Sequence, residues 1–398
     1  MTWSIKKKLK AKKTMNILID FLPFQTQGGF GGAASFAKAV YDQLSSRCGD
    51  ACLFALYDSR QPLDGRYPCQ ELASNWNVTL LDVSKKQISE HIQENNIDVF
   101  FIAIGQFYAR YDLSGIACKT IMFIHDIFDI ERNDNHIDLM LTDKHHNTVL
   151  QRIKRVCNLL SGRWKRRLKC NYGNIMPLFC ASLTTPYTVS DYSRQALYYY
   201  FPMNGKDIRI CYSPLNLCPK EPKVANWQLS QLIESDKPYL LMIAANRIYK
   251  NPAILTKVFL RLQEEYPDLH LLTLKYGRSI SDKHLDIGYL SDSDLQHAYE
   301  HAHALVFGSF FEGFGYPPIE AARYSTPTVA SNVTSIPEIL GDAGIYFSPF
   351  YPADLYRALK LVIEDRDAYT ERTYSRYKQI RHRQESDMDL LIDDIMRK

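Results

Sequence analysis

The chain has 398 residues, a length that suits two domains of ordinary size better than a single core. Its net charge of +4 is too small to make nucleic acid the main partner, and its apolar fraction of 46% is typical of a globular protein rather than a disordered one. No apolar run approaches the roughly 20 residues that span a bilayer, and the nine scattered cysteines lack the paired spacing of a disulfide framework or a zinc site.

The amino terminus, residues 1–14, is a basic extension. Its lysines crowd between Lys6 and Lys13, without the apolar core or cleavage site of a secretory signal. A second basic stretch, residues 144–169, has apolar residues at helical spacing, so a helix there would have one apolar and one cationic face. Such a helix either lies on an anionic membrane surface or packs on its own domain, and both interpretations stay open. We expect a cytoplasmic protein, with peripheral attachment to the inner membrane face as the open alternative.

Buried strands alternate with helical segments in the first half of the chain. The predicted strands span residues 15–20, 51–57, 78–83, 97–105, 120–126 and 183–190. Buried strands that alternate with helices predict a parallel, doubly wound sheet. We assign this sheet to a Rossmann-like domain at 15–214, with a basic helical insertion at about 131–181.

After a proline-rich linker at 215–238, the alternation of strands and helices starts again. A helix is predicted from about Pro252. The second set of predicted strands spans residues 239–245, 270–276, 286–290, 304–309, 326–331 and 344–349. They define a second Rossmann-like domain at 239–375, followed by a helix at 376–398 that could pack back on the first domain. The predicted fold class is α/β, with two parallel-sheet domains that face a central cleft where ligands bind.

The most informative motif begins "EGFGYPPIEAARYSTPTVAS" and sets Glu312 and Glu320 eight positions apart. Gly313 and Gly315 let the backbone approach a ligand closely, and the following proline pair suits the first turn of a helix. Free amides at that helix start favour an anion or a hydroxyl-rich group. Taken singly, Glu312 could be a loop surface residue and Glu320 a partner of the helix dipole.

The longer run that ends in "SNVTSIPEILGDAGIYFSP" resembles the carboxy-terminal signature of the family-4 retaining glycosyltransferases, the glycosyl transferases group 1, which have the GT-B fold. The match continues through Ser331, Pro337, Glu338, Gly341 and Asp342. The resemblance implies that Glu312 faces the sugar of a nucleotide-diphosphate donor, and that Glu320 holds its ribose hydroxyls. The backbone of Gly313, Phe314 and Gly315 would lie beside the donor.

The segment "AANRIYKNP", residues 244–252, is similar to the family segment in which an arginine and a lysine hold the donor diphosphate. It offers Arg247 and Lys250, with Asn246 next to them as a donor contact. Fixed cations there would stabilise the charge that builds on the departing diphosphate. Alternatively, both residues could be solvated charges on a surface loop without a role in binding.

Three segments of the first domain complete the predicted site. The glycine run after the first strand could be a dinucleotide fingerprint, but no acidic residue follows the second strand convincingly. Under the resemblance, Gly31 and Gly32 line the cleft instead. His125 would reach a hydroxyl of the donor sugar, unless it only caps its strand. Ser190 would reach the cleft, while Ser193 would cap the next helix.

We expect no metal and no cofactor, since no Asp-x-Asp motif stands out as the site of a metal-bound diphosphate and the histidines lack a ligand-spaced partner. The resemblance implies a retaining hexosyltransferase that moves a sugar from a nucleotide-diphosphate sugar to a glycan or lipid-linked glycan, in surface polysaccharide synthesis of the O-antigen type. The region "VASNVTSIPE" is most similar to family members that act in O-antigen and capsule synthesis, often with GDP-mannose, so the resemblance favours GDP-mannose as donor. A nucleotide-sugar epimerase of the same fold, a non-catalytic binding protein and an NAD-dependent oxidoreductase are the alternatives.

Overall fold

Two parallel β-sheets organise the chain. A computed structural model of the protein describes residues 14–25, 32–63, 67–134, 153, 157, 163–203, 205–215, 219 and 221–397. The strands of the first sheet are β1 Asn16–Asp20, β2 Cys52–Tyr57, β3 Val78–Asp82, β4 Val99–Ile102, β5 Lys119–Phe123, β6 Thr184–Thr188 and β7 Arg209–Ile210. The strands of the second sheet are β8 Tyr239–Met242, β9 His270–Leu274, β10 His284–Ile287, β11 Ala304–Phe307, β12 Thr328–Ser331 and β13 Ile345–Phe347.

The two sheets have the same topology. Their strand orders are β3-β2-β1-β4-β5-β6-β7 and β10-β9-β8-β11-β12-β13, and neighbouring strands run parallel. In each sheet the order reverses beside the first strand, which is where open α/β sheets bind ligands, beyond the carboxyl ends of their strands. The central strands β4, β8, β11 and β12 are buried along their whole length. The unbroken apolar runs of β4, β8 and β11 are those of parallel strands covered by helices on both faces. The predicted fold class is confirmed.

Helices cover both faces of each sheet. Those of the first half are α1 Leu22–Gln25, α2 Gly32–Arg47, α3 Cys69–Asn75, α4 Ile88–Glu94, α5 Phe128–Asp134, α6 Arg163–Phe179 and α7 Asp191–Tyr200. Those of the second half are α8 Trp227–Glu234, α9 Pro252–Leu262, α10 Asp292–His301, α11 Tyr316–Ala322, α12 Ile336–Leu340, α13 Pro352–Glu364 and α14 Asp367–Met396. Three-residue or six-residue 3-10 turns lie at Gly105–Arg110, Ile248–Lys250 and Gly341–Ala343.

Two local predictions need correction. The strand predicted at 286–290 is β10, which starts two residues earlier and ends at Ile287, before Gly288. Residues 227–234 of the predicted linker form α8, whose Leu229 and Leu232 are buried in the core of the second domain. The Asn226 side chain accepts a hydrogen bond from the Leu229 N–H at 3.0 Å and so caps α8. With only eight residues, α8 is too short to show a sustained helical period.

The last helix, α14, joins the two domains. Near its start, the Arg376 guanidinium donates to the Ile339 carbonyl of the second domain at 2.8 Å. Further along, Met388, Leu391 and Ile392 are buried in the core of the first domain. Near its end, Asp394 accepts from Arg209 of β7 at 2.8 Å. One rigid element therefore connects the second domain to the first.

The basic stretch 144–169 lies mostly outside the described residues, as does the amino-terminal extension up to residue 13. The end of α6 packs on the first domain, where Tyr172, Ile175 and Phe179 are buried in its core. Within the described part of the chain, none of the helices combines the length and the apolar character needed to cross a membrane.

Asp20, at the end of β1, carries a pH-dependent contribution to stability. It is fully buried, and burial raises its pKa from 3.8 to about 7 even though the Tyr41 hydroxyl donates to it. The folded state thus holds a proton that the unfolded chain releases near pH 4. This contribution is fully present below pH 4 and is lost as the pH rises through 7. Between pH 5 and pH 8 we expect the denaturant midpoint of the wild type to fall more than that of Asp20→Asn, which lacks this titrating group. Equal slopes for both proteins would contradict this assignment.

Candidate functional site

A cleft of about 1180 Å³ separates the two domains at the carboxyl ends of their strands. Nine of the predicted site residues line it: Gly32, His125, Arg247, Lys250, Glu312, Gly313, Phe314, Gly315 and Glu320. Ser190 and Asn246 do not line it, and Gly31 lies outside the described residues. The chain thus brings together, from four separate segments, most of the residues that the sequence singled out.

A buried ion pair lines the cleft on the side formed by the second domain. Lys250 ends the 3-10 turn after β8, and its Nζ lies 2.5 Å from Oε1 of Glu312. The two side chains are only 8% and 13% exposed, and the Ser309 hydroxyl donates to the same carboxylate oxygen at 2.6 Å. The Lys250 ammonium also lies 4.5 Å from the centroid of the Phe307 ring. Removing one partner of such a buried pair leaves an uncompensated charge, so the two side chains act as a unit.

Hydroxyl groups fix the loop that carries Glu312. Thr334 Oγ1 accepts from the Glu312 N–H at 3.0 Å, and Ser335 Oγ donates to the carbonyl oxygens of Glu312 and Phe314 at 3.0 and 3.1 Å. Ser331 donates to the Ser309 carbonyl at 2.5 Å. The sequence prediction matched Ser331 to the family signature but missed the other hydroxyls. Their signal is the run "SNVTS", whose four hydroxyl and amide side chains are unusual directly after a buried strand.

Glu320 is held by a tyrosine that sequence reasoning missed. The hydroxyl of Tyr299, in α10, donates to Glu320 Oε2 at 2.6 Å. Tyr299 is buried, and burial raises the pKa of its phenol well above the usual value, so the hydroxyl keeps its proton and remains a donor. Glu320 is the fifth residue of α11 and stands beyond the first turn, so the helix-dipole alternative does not apply. In the sequence, Tyr299 looks like one more apolar position of an amphipathic helix.

Arg247 and Asn246 are more peripheral. Both are exposed in the turn after β8, and the Arg247 guanidinium donates to the Tyr249 hydroxyl at 3.0 Å. Arg247 therefore lines the cleft without contacting the Lys250–Glu312 pair. Gly32 packs against Tyr316, since an added Cβ would lie 2.7 Å from that ring.

His125 lines the first-domain side of the cleft. Its Nε2 lies 3.0 Å from the Ala103 carbonyl, and its ring makes an edge contact with Phe36 at 4.7 Å between centroids. Burial lowers the pKa of His125 to about 4, so the imidazole is neutral near pH 7. Because a carbonyl only accepts, Nε2 carries the proton and Nδ1 is the acceptor. A neutral Nδ1 suits a hydrogen bond from a hydroxyl group.

Ser190 connects the domains instead of lining the cleft. Its hydroxyl donates to the Gly313 carbonyl at 2.7 Å, across the domain boundary. It also accepts from the Ser193 N–H at 3.1 Å, so Ser190 is the N-cap of α7. The expectation that Ser193 caps this helix is wrong, because the extended backbone that an N-cap requires occurs at Ser190.

Glu338 makes a second connection between the domains. Its carboxylate accepts from the backbone N–H groups of Asp191 and Tyr192 at 2.8 and 3.0 Å, and from the Tyr212 hydroxyl at 2.8 Å. A second-domain carboxylate thus satisfies free amides at the start of the first-domain helix α7, where the helix dipole favours negative charge. These contacts hold the two walls of the cleft in one arrangement.

Two histidines and a glutamate lie close together outside the cleft. On α10, His297, Glu300 and His301 present ligand atoms within 4.8 Å of one another. The expectation that the histidines lack a ligand-spaced partner is therefore wrong for the described residues. His297 Nε2 is already bonded to the Glu221 carbonyl at 2.8 Å. The prediction that the reaction needs no metal stays a prediction.

Comparison with known proteins gives matches in both sequence and structure. Residues 224–380 match the family model of the glycosyl transferases group 1. The O-antigen chain mannosyltransferase B of Escherichia coli is 49% identical over 63 residues, which is 16% of each chain. The O-antigen chain mannosyltransferase RfbU of Salmonella typhimurium is 25% identical over 200 residues, which is 47% of this chain and 52% of that protein.

Among solved structures, Anabaena Alr3699/HepE in complex with UDP-glucose covers 96% of this chain and 98% of its own, at 14% identity and a TM-score of 0.59. This likeness shows that the two chains share the GT-B fold. The matches to the curated relatives named above span at most 52% of those relatives' length.

Proposed function

We propose that this protein, whose residues 224–380 match the family model of the glycosyl transferases group 1, moves a sugar from a nucleotide-diphosphate sugar to a hydroxyl of a glycan acceptor. The predicted family resemblance is confirmed for this part of the chain. The observation that carries the proposed activity is the cleft itself, where the buried Lys250–Glu312 pair and the tyrosine-held Glu320 line one wall and His125 lines the other.

The proposed mechanism follows from the chemistry of these groups. The Lys250 ammonium, with Arg247 at the rim, neutralises the diphosphate as its bond to the sugar breaks, which stabilises the transition state more than the ground state. Glu320 accepts hydrogen bonds from the ribose hydroxyls. Glu312 and the Nδ1 atom of His125 accept from hydroxyls of the sugar.

The transfer forms one bond between the acceptor oxygen and the anomeric carbon, and breaks the bond from that carbon to the diphosphate oxygen. We propose that the departing diphosphate takes the proton of the acceptor hydroxyl and that the anomeric configuration is retained. No pair of side chains is then needed as nucleophile and general acid. Metal-independent transfer is part of the same proposal.

We further propose GDP-mannose as the donor and a glycan or lipid-linked glycan of the O-antigen type as the acceptor. The support is the similarity to curated O-antigen mannosyltransferases, while the related Anabaena structure holds UDP-glucose. A cytoplasmic location with contact to an anionic membrane surface is part of the proposal, and the lysines between Lys6 and Lys13 support the membrane contact.

A thermal-shift experiment tests the donor site. A ligand that binds only the native state raises the melting temperature, with about 2.7 kcal/mol of added stability at one hundred times its dissociation constant. We expect GDP-mannose to raise the melting temperature of the wild type but not of Glu320→Ala, and UDP-glucose to have the smaller effect. A donor that binds but yields an epimer when incubated alone would establish the epimerase instead. No shift with any nucleotide sugar would contradict the proposed function.

A further inference from the structure

The cleft is larger than the predicted donor site. Its 1180 Å³ exceeds the roughly 300–1,000 Å³ of typical small-molecule pockets. The excess volume is a groove that leaves the donor loop and runs between α2 of the first domain and the second half of α14. We call it the α2–α14 groove. None of the residues discussed so far as donor contacts lies in its outer part.

Helix spacing shows that the groove has two continuous walls. On α2 the lining residues Ser35, Ala39 and Gln43 recur every four positions and therefore share one face. On α14, Arg381, Glu385 and Asp389 do the same. The α2 wall begins at Gly32 beside the donor loop and ends at Arg47, a length of about 22 Å at 1.5 Å per residue.

Apolar groups form the floor between the walls. Met388 of α14 and Leu215 line the groove and are 6% and 8% exposed. The Gln384 amide donates to the Ser213 carbonyl at 2.5 Å and fixes α14 against this floor. The groove is therefore built on packed elements, and its shape does not depend on a single surface side chain.

The charges in the groove are balanced by pairs. Lys38 lies 2.6 Å from Asp42 on α2, and Arg381 lies 3.1 Å from Glu385 on α14. A third pair joins the two walls at the outer end, where Arg47 lies 2.5 Å from Asp389. Because each cation is paired with a carboxylate, these side chains carry no net charge that would attract a polyanion or a polycation.

A ligand for such a groove should be uncharged and rich in groups that both donate and accept hydrogen bonds. The paired carboxylates and guanidinium groups supply both kinds of partner, and the floor accepts the C–H faces of sugar rings. An apolar segment would leave the charged walls without water, at a cost in free energy.

We propose that the α2–α14 groove binds the acceptor glycan over several sugar units behind the reacting hydroxyl. The proposal rests on the proposed function, since it identifies the acceptor as a neutral saccharide chain that enters the cleft along α2. It predicts that the protein discriminates acceptors by length and not only by their terminal sugar.

The test uses binding of α-linked mannose oligosaccharides of one to six units to the full chain. The dissociation constant should fall by about tenfold between one and four units, because each added unit brings new hydrogen bonds. Ala39→Trp, which fills the groove, should abolish this gain. Ala368→Trp is the matched control, because Ala368 is an exposed residue near the start of α14, outside the groove. Gln43→Ala removes a hydrogen-bonding group without adding volume and should weaken only the longer oligosaccharides.

The outcomes separate this proposal from the proposed function. A melting-temperature shift with GDP-mannose that persists in Ala39→Trp shows that the donor site is intact. With that shift present, equal affinity for short and long oligosaccharides, or unchanged length dependence in both Ala39→Trp and Gln43→Ala, would overturn the groove assignment. Tighter binding of a sulfated polysaccharide than of the neutral series would overturn it as well. If GDP-mannose did not raise the melting temperature of the wild type, the proposed function would be refuted instead.

Discussion

Replacing Lys250 with alanine is expected to lower the turnover number for sugar transfer by about 10²–10³-fold, the usual cost of losing one group that stabilises transition-state charge. The buried ammonium is the cation closest to Glu312, and Arg247 is exposed at the rim. Because charge builds on the diphosphate only as the bond breaks, the effect should fall on turnover more than on donor affinity.

The same substitution should also destabilise the fold. It leaves the Glu312 carboxylate buried without its cation, which typically costs about 3–5 kcal/mol of unfolding free energy. Rates therefore need to be measured at a temperature where circular dichroism shows a folded protein. Lys250→Arg keeps the positive charge but not the compact ammonium, and should retain the fold with an intermediate rate.

Lys257→Ala supplies the matched control for Lys250→Ala. Lys257 is an exposed residue on α9, more than one helix turn past the start of that helix. It is close to Lys250 in the sequence, but its side chain is not buried. We expect wild-type turnover from it. A folded Lys250→Ala protein with a turnover number close to wild type would remove Lys250 from the mechanism.

The sequence predicted the parts of the fold that depend on local pattern. Strands such as β8 and β11 are short apolar runs next to polar loops, so their place and type follow from composition alone. Helix α8 was missed, since its stability comes from packing Leu229 and Leu232 on the second domain rather than from a long period. The edge strand β7 has only two residues and forms because β6 is beside it.

The residues of the candidate site also fall into two groups, those that the sequence could identify and those that it could not. Glu312, Glu320 and Lys250 could be found because their loops resemble a known family. Tyr299 could not, because a buried tyrosine in an amphipathic helix looks like core until the helix is seen to face Glu320. Ser190 was found, but with the wrong role, since only the packed domains show that its partner is the Gly313 carbonyl.

The second large effect is expected from adding one methyl group to the cleft. Gly313 faces the first domain so closely that a Cβ built on it would lie 2.9 Å from the Asp126 Cβ and 3.2 Å from the His125 carbonyl oxygen. The second of these contacts is with backbone and cannot move by a rotamer change. Gly313→Ala should therefore push the donor loop away from the first domain.

We expect Gly313→Ala to lower the turnover number by about 10²-fold, since a displacement on the order of 1 Å is enough for an effect of that size. The second domain alone holds Glu320 and Lys250, so binding of GDP-mannose should change less than turnover. The Ser190 hydrogen bond to the Gly313 carbonyl should weaken with the displacement, and the melting temperature of the variant should therefore fall.

Gly288→Ala is the control that separates crowding from the general effect of replacing glycine. A Cβ at Gly288 meets nothing within 4 Å, and its backbone is not left-handed, so the variant should match the wild type in turnover and in melting temperature. If Gly313→Ala also matched the wild type in both measurements, the contact between the Gly313 loop and the His125–Asp126 segment would not be needed for transfer. The expected contrast follows from the surroundings of the two glycines, because an added Cβ would meet the first-domain backbone at Gly313 and nothing within 4 Å at Gly288.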